Sequence, residues 1–272
     1  LRVLTWNVHG NYLYYLGQDP ETPNYSSLFE MPSLGGASRK RAFDVDTAVA
    51  FSPDAKRVCF IRGVTQGQET HLVILELATS KETVLAVIKP PTVMPQLRPS
   101  RSADGAKIAV EVIETTGGIR PQVAVFDVKD SSRTSIRDTE WLNITDAEWM
   151  GRDALAIAGG NLENGATRQI FRLSWPEGRL TRVTNDLNDY GDLSVSADGQ
   201  IVEALRNSTV SDLWIAPVSG TGAPRQLTRE SSSRQSVLML ETAQDGSIVY
   251  LARASGSSAI EATGLDGSAP RQ

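Results

Sequence analysis

A short phrase returns along this chain at an interval of about 47 residues, and a chain built that way folds as copies of one supersecondary unit. The copies are Phe51-Ser-Pro-Asp54, Ser102-Ala-Asp104-Gly105, Ser196-Ala-Asp198-Gly199 and Ala243-Gln-Asp245-Gly246, with degenerate members at Trp6 to Gly10 and Trp149 to Arg152. Each follows one short apolar stretch and precedes another. An Asp-Gly pair in that setting predicts a tight hairpin turn: the glycine takes φ > 0 and the Asp carboxylate accepts neighbouring backbone N–H groups. The repeated object is therefore a set of antiparallel strands.

Around each phrase the apolar pattern marks four strands. In the fifth unit they fall at residues 193–195, 201–205, 212–218 and 225–228; the second unit (47–51, 57–61, 71–77, 82–87) and the third (97–101, 107–112, 122–128, 133–136) keep the same order. A lone four-stranded sheet with two partly apolar faces cannot hide both of them. Stacking copies around an axis does so, and this predicts an all-β six-bladed β-propeller with four antiparallel strands per blade. One domain over residues 1–272 is expected, with blades near 1–45, 46–94, 95–142, 143–188, 189–235 and 236–272. A β-sandwich would not require the same phrase at the same phase in every unit.

Charge narrows the function classes. With 27 basic residues dispersed among 32 acidic ones and a net charge of −5, the chain lacks the basic stripe that nucleic acid requires. Its one tight basic run, Arg39-Lys40-Arg41, reads as solvated surface. No apolar run of about 18 residues is present, so this segment is expected not to insert in a membrane. The first residues carry no signal-peptide pattern and no initiator Met, which predicts a piece whose targeting sequence lies upstream. At the other end Pro270-Arg271-Gln272 matches Pro224-Arg225-Gln226, so the chain is expected to stop inside its last outer strand. The single cysteine, Cys59, lies in an apolar run and reads as a small buried hydrophobe.

Catalytic signatures are missing from the pattern. There is no Gly-x-Ser-x-Gly nucleophile elbow, and the two histidines, His9 and His71, occupy a turn and a strand opening. No catalytic residue, cofactor or metal is expected. Residues 185–192 concentrate oxygen donors, but their spacing is not that of an EF-hand loop, and they read as an ordinary connection between blades.

Binding residues are expected where fourth-to-first and second-to-third strand connections gather at one end of the channel. Asp46, Gln96, Ile144 and Tyr190 occupy equivalent lead-ins to innermost strands, with Asp146, Asp192 and Arg234 nearby. Asp46, Gln96, Tyr190, Asp192 and Arg234 are thus candidates for a small polar ligand, a peptide or a sugar. The longest loops are expected at residues 17–26, 63–70, 115–121 and 159–167, with Tyr25 and Arg120 as anchors for a protein partner. Trp6, Phe51 and Trp149 share one repeat position, and Phe126, Phe171 and Trp214 fall in third strands; both sets are expected in the core. Trp141 breaks that phase and is expected in an extended loop, available to a partner.

The phrase Phe51-Ser-Pro-Asp54 followed by Lys56-Arg57 and an apolar strand, with Asp212-Leu-Trp-Ile215 and Pro224-Arg-Gln-Leu-Thr228 later on, resembles the WD-like repeats of the TolB-type β-propeller over essentially the whole chain. Residues 180–199 are further similar to the propeller segment of bacterial membrane-bound kinases and winged-helix regulators. That resemblance implies a noncatalytic binding propeller, possible covalent attachment to an effector domain, and a periplasmic or extracellular position; a cytoplasmic one is the alternative. Related propellers also cap the catalytic domain of prolyl-oligopeptidase-like serine peptidases. A substrate-gating cap, or a channel-centred hydrolase or lyase, therefore stands as the enzyme alternative.

Overall fold

Among the residues that the computed structural model describes, every regular element is a strand. It describes residues 4–7, 9–19, 21–64, 68–136, 140–163, 165–186, 188–207, 211–228, 236–254 and 257–267. The first sheet runs β1 (Leu4–Trp6), β2 (Tyr12–Asp19), β3 (Thr22–Pro32) and β4 (Arg39–Phe43), each antiparallel to the next. The second repeats that order with β5 (Ala50–Phe51), β6 (Arg57–Val64), β7 (Glu69–Glu76) and β8 (Lys81–Ile88). The third adds a short β9 (Thr92–Val93) to β10 (Ser100–Arg101), β11 (Lys107–Glu114), β12 (Arg120–Asp127) and β13 (Arg133–Ile136); β9 and β10 both pair with β11. The fourth comprises β14 (Trp141–Met150), β15 (Ala154–Asn161), β16 (Gly165–Ser174) and β17 (Leu180–Arg182).

Among the described residues the last third of the chain pairs less fully. The fifth unit forms two separate pairs, β18 (Asp189–Val195) with β19 (Val202–Asn207) and β20 (Trp214–Ile215) with β21 (Arg225–Gln226). The sixth shows three strands, β22 (Ser236–Thr242), β23 (Ile248–Ala254) and β24 (Ser257–Thr263). Sheet order and repeat length agree with six propeller blades.

Each sheet buries one face against the next, in chain order. Val58, Phe60, Val73 and Leu75 of the second blade pack on Tyr14, Leu16 and Leu28 of the first. Its opposite face, with Cys59, Ile61, Leu72 and Ile74, packs on Ile108, Val110 and Phe126 of the third. The third and fourth blades share Ala109, Val123 and Val125 with Trp149, Leu155, Ile157 and Phe171. Ala156, Ala158 and Ile170 then meet Leu193, and Leu213 and Leu227 meet Ile248 and Tyr250. Strand alternation explains the arrangement: odd and even residues of one central strand serve different neighbours. At about 1.5–3 kcal/mol per fully buried large apolar side chain, these interfaces supply most of the stabilisation.

The recurring phrase forms the turn between the first and second strands of a blade. Ser102 N–H donates to the Lys107 carbonyl at 3.0 Å and Gly105 N–H to the Ser102 carbonyl at 2.8 Å. The Asp104 carboxylate accepts from the Ser102 hydroxyl at 2.6 Å and from Ala106 N–H at 2.9 Å, while Lys107 N–H donates back to the serine oxygen. The same lattice surrounds Asp54 and Asp198. In all three the serine hydroxyl is the first cause that holds the Asp pKa below the ordinary carboxylate value. Gly105, Gly199 and Gly246 take φ of 72°, 71° and 82°, as the turn demands, and Ala55 takes 54° in the same place.

These turns also touch one another. A Cβ on Gly105 would lie 2.9 Å from Pro53 Cδ, Ala103 N–H donates to the Gly151 carbonyl at 2.9 Å, and a Cβ on Gly199 would lie 3.1 Å from Gly151 N. The second to fifth blades thereby meet in close contact at one end of the molecule, with one backbone hydrogen bond between the third and fourth.

Candidate functional site

The opposite end carries the lead-ins to innermost strands and the second-to-third strand hairpins. Here the hairpins are longer than the sequence suggests. Gly17 and Gln18 pair with Ser27 and Ser26, Gly63 and Val64 pair with Thr70 and Glu69, and Gly159 and Asn161 pair with Gln169 and Gly165. Much of what polar composition marked as loop is strand, because ladder bonds use backbone groups whatever the side chains.

Several predicted channel residues are engaged by their own blades. The Asp46 carboxylate accepts from Gly63 N–H at 2.7 Å, and its own N–H donates to the Ile61 carbonyl at 3.2 Å, so it ties its lead-in to β6. The Tyr190 hydroxyl donates to Asp186 at 2.7 Å, a bond that raises its pKa and lowers that of the aspartic acid. Ile144 lies 5% exposed in the core between the third and fourth blades rather than in the channel wall. Gln96 is exposed in the irregular stretch between β9 and β10. Asp192 is exposed with φ of 45°, at a register shift between Gly191 and Leu193. Arg234 lies outside the described residues.

The oxygen-rich connection at residues 185–192 is held from within. Asp186 accepts from Asn188 N–H at 2.9 Å as well as from Tyr190, and Asp189 accepts from the Arg168 backbone and guanidinium, both at 2.9 Å. The buried Gln169 amide donates to the Asn188 carbonyl at 2.7 Å and accepts from the Thr184 hydroxyl at 3.0 Å. Among the described residues no group of three or more His, Cys, Asp or Glu side chains converges as a metal site would require.

A network that sequence reading missed joins three blades at the channel wall. Arg98 contacts Glu148 through Nη2, which also lies 3.6 Å from Asp146 Oδ2 and donates to the Leu193 carbonyl at 2.8 Å. Asp146 Oδ2 accepts from Leu193 N–H at 2.7 Å, and Glu148 accepts from the Ser100 hydroxyl at 2.7 Å. Ser100 in turn accepts from Trp149 N–H at 2.9 Å. Burial pushes both acids above their ordinary values, Glu148 to about 7 despite the nearby Arg98. The available signal was spacing: Arg98 and Ser100, and Asp146 and Glu148, are each two residues apart near innermost strands and can share a face.

At the outer rim of the same end, Tyr25 is 48% exposed, its ring 5.2 Å from that of the exposed Phe43, with the Lys40 ammonium 5.4 Å from the Phe43 centroid. Arg120 is exposed where β12 begins. Trp141 requires a correction: it opens β14, is 5% exposed, and packs edge-on against Phe171 at 5.2 Å. A side chain so placed fills the core and offers a partner nothing.

No protein-family model matches the sequence, and no curated protein does. Solved structures do. TolB from Acinetobacter baumannii aligns over 95% of this chain and 62% of its own, with a TM-score of 0.60 and 19% identity. An oligogalacturonate lyase in complex with manganese aligns over 98% of this chain and 74% of its own, with a TM-score of 0.56 and 12% identity. A putative TolB from Agrobacterium tumefaciens covers 65% of this chain and 62% of its own, at 0.51 and 16%. The chain thus spans less than two thirds of either TolB. At such identities the likeness is one of fold, and the fold is the TolB-like β-propeller.

Proposed function

We propose that this chain is a noncatalytic binding propeller whose rim, at the end bearing the second-to-third strand hairpins, takes a protein partner. The observation that carries this reading is a division of labour among polar groups. Along the channel wall Asp46, Asp146, Glu148, Arg98 and Tyr190 are spent on holding strands and blades together. On the rim Tyr25 and Phe43 present an exposed aromatic pair beside Lys40, the kind of amphipathic surface that protein interfaces use, and Arg120 is exposed at the same end. Attachment to an effector domain in a larger bacterial protein, and a periplasmic or extracellular position, belong to the same proposal.

Photo-crosslinking in the producing cell tests it. A benzophenone amino acid at position 25 or 120 is expected to capture a defined protein, and one at position 96 or 192 is not. Capture confined to 96 and 192, or thermal stabilisation by an oligosaccharide that Asp192→Ala abolishes, would replace the protein partner with a small channel ligand.

A further inference from the structure

The three-blade network at the channel wall contains two carboxylates and one guanidinium. Side-chain exposure is 8% for Asp146, 15% for Glu148 and 30% for Arg98, so the acids are withdrawn from water while the base is partly open to it. Both acids draw on the same guanidinium nitrogen, Nη2, and one cation cannot neutralise both. The remaining titratable neighbours do not supply a second positive charge. Asp192 adds negative potential beside Asp146. On the opposite side Cys59 of β6 is held as a neutral thiol, pushed up to about 12 by burial, and Arg101 acts on Cys59. A buried pair with one unmatched charge favours uptake of a proton.

We propose that Arg98, Glu148 and Asp146 form a proton-operated joint between the third, fourth and fifth blades: acidification places one proton on Glu148, leaves the guanidinium to Asp146 and the Leu193 carbonyl, and tightens β14 against β18. The proton comes from solvent past Arg98, and no bond other than O–H is made. Leu193 is the reporter of the joint, because its N–H donates to Asp146 and its carbonyl accepts from Arg98. Glu148 is the member that titrates: it is held near 7 by burial, against the attraction of Arg98. Asp146, though also raised, accepts two backbone N–H bonds that favour its charged form. The joint operates whatever the rim binds.

The test uses the intact chain. In a glutamate-labelled sample, the carboxyl carbon signal assigned through Glu148→Gln is expected to titrate near neutral pH. The protection of Leu193 N–H from hydrogen exchange, corrected for intrinsic rate, is expected to rise at least several-fold from pH 8.5 to pH 5.5. Ser100→Ala removes a donor to the charged carboxylate and is expected to move the titration further upward, a shift that a purely structural role would not produce. A Glu148 signal that titrates like a surface glutamate, or a Leu193 protection that does not change with pH, would overturn the proposal.

Discussion

Single residues carry the sharpest energetic consequences. Glu111 lies on β11 at 6% exposure, on the face it shares with Ala109, and burial pushes its pKa to about 8 from 4.5. The folded state therefore keeps a proton that the unfolded chain releases above pH 4.5. The stability Glu111 contributes is full below that pH and is lost as pH rises through 8, on the order of 5 kcal/mol. Urea midpoints should fall from pH 5 to pH 8.5 in the native protein and fall less in Glu111→Gln. The turn positions predict opposite signs for one small change. Gly105→Ala combines φ of 72° with a contact 2.9 Å from Pro53 and should cost about 2 kcal/mol, whereas Ala55→Gly, at φ of 54°, should stabilise by about 0.5 kcal/mol. Thermal melts of the two variants check both. The turns themselves were legible, because Asp-Gly chemistry is local. The fate of single aromatics was not. Phe126 and Phe171 are 2% exposed as their repeat position suggests, yet Trp214 is 60% and Trp6 56% exposed. Repeat phase tells which way a side chain points, and burial also needs a neighbour on that side.

At the scale of elements, strand order followed from the repeat while strand length did not. The hairpins of the first, second and fourth blades extend through Gln, Asn, Thr and Gly because their ladders close over backbone groups. Conversely β9 joins the third sheet through Val93 opposite Ile113 and Thr92 opposite Glu114, ahead of the boundary expected at residue 95, and the sequence there shows only two prolines before it and one after. The connection from the fourth to the fifth blade rests on one buried amide. Gln169→Leu keeps the volume but removes its bonds to the half-buried Asn188 carbonyl and Thr184 hydroxyl. A loss of about 2–3 kcal/mol is expected, with faster proteolysis at residues 184–189 as the accompanying measurement.

For the whole molecule, stability should be graded along the chain. The fourth blade has a second strand, β15, that is buried from end to end, and it packs on both of its neighbours. The fifth unit is two separate strand pairs, one of them only two residues long on each side. Amides of β15 should exchange only on global unfolding and those of β20 and β21 far sooner, in a nearest-neighbour pattern that mass spectrometry resolves. The architecture was readable because a four-strand phrase in repeat leaves stacked sheets as the way to bury both faces. The channel network was legible only in its parts: two-residue spacing puts Arg98 with Ser100 and Asp146 with Glu148, but no local signal says that the Arg98 guanidinium reaches the Leu193 carbonyl 95 positions on.

The close contacts that the turns at Gly105 and Gly199 make with the adjoining blades leave the two ends of this propeller unequal as sites of change. Lengthening the chain at Asp104 or Gly199 would push directly against the adjoining blade, where Pro53 and Gly151 leave no clearance for even a methyl group. Added residues at the tip between β11 and β12, exposed from Thr115 to Ile119, would meet solvent. New sequence, whether gathered in evolution or grafted as a tag, can accumulate at the rim end while the turn end stays closed to it at Gly105 and Gly199.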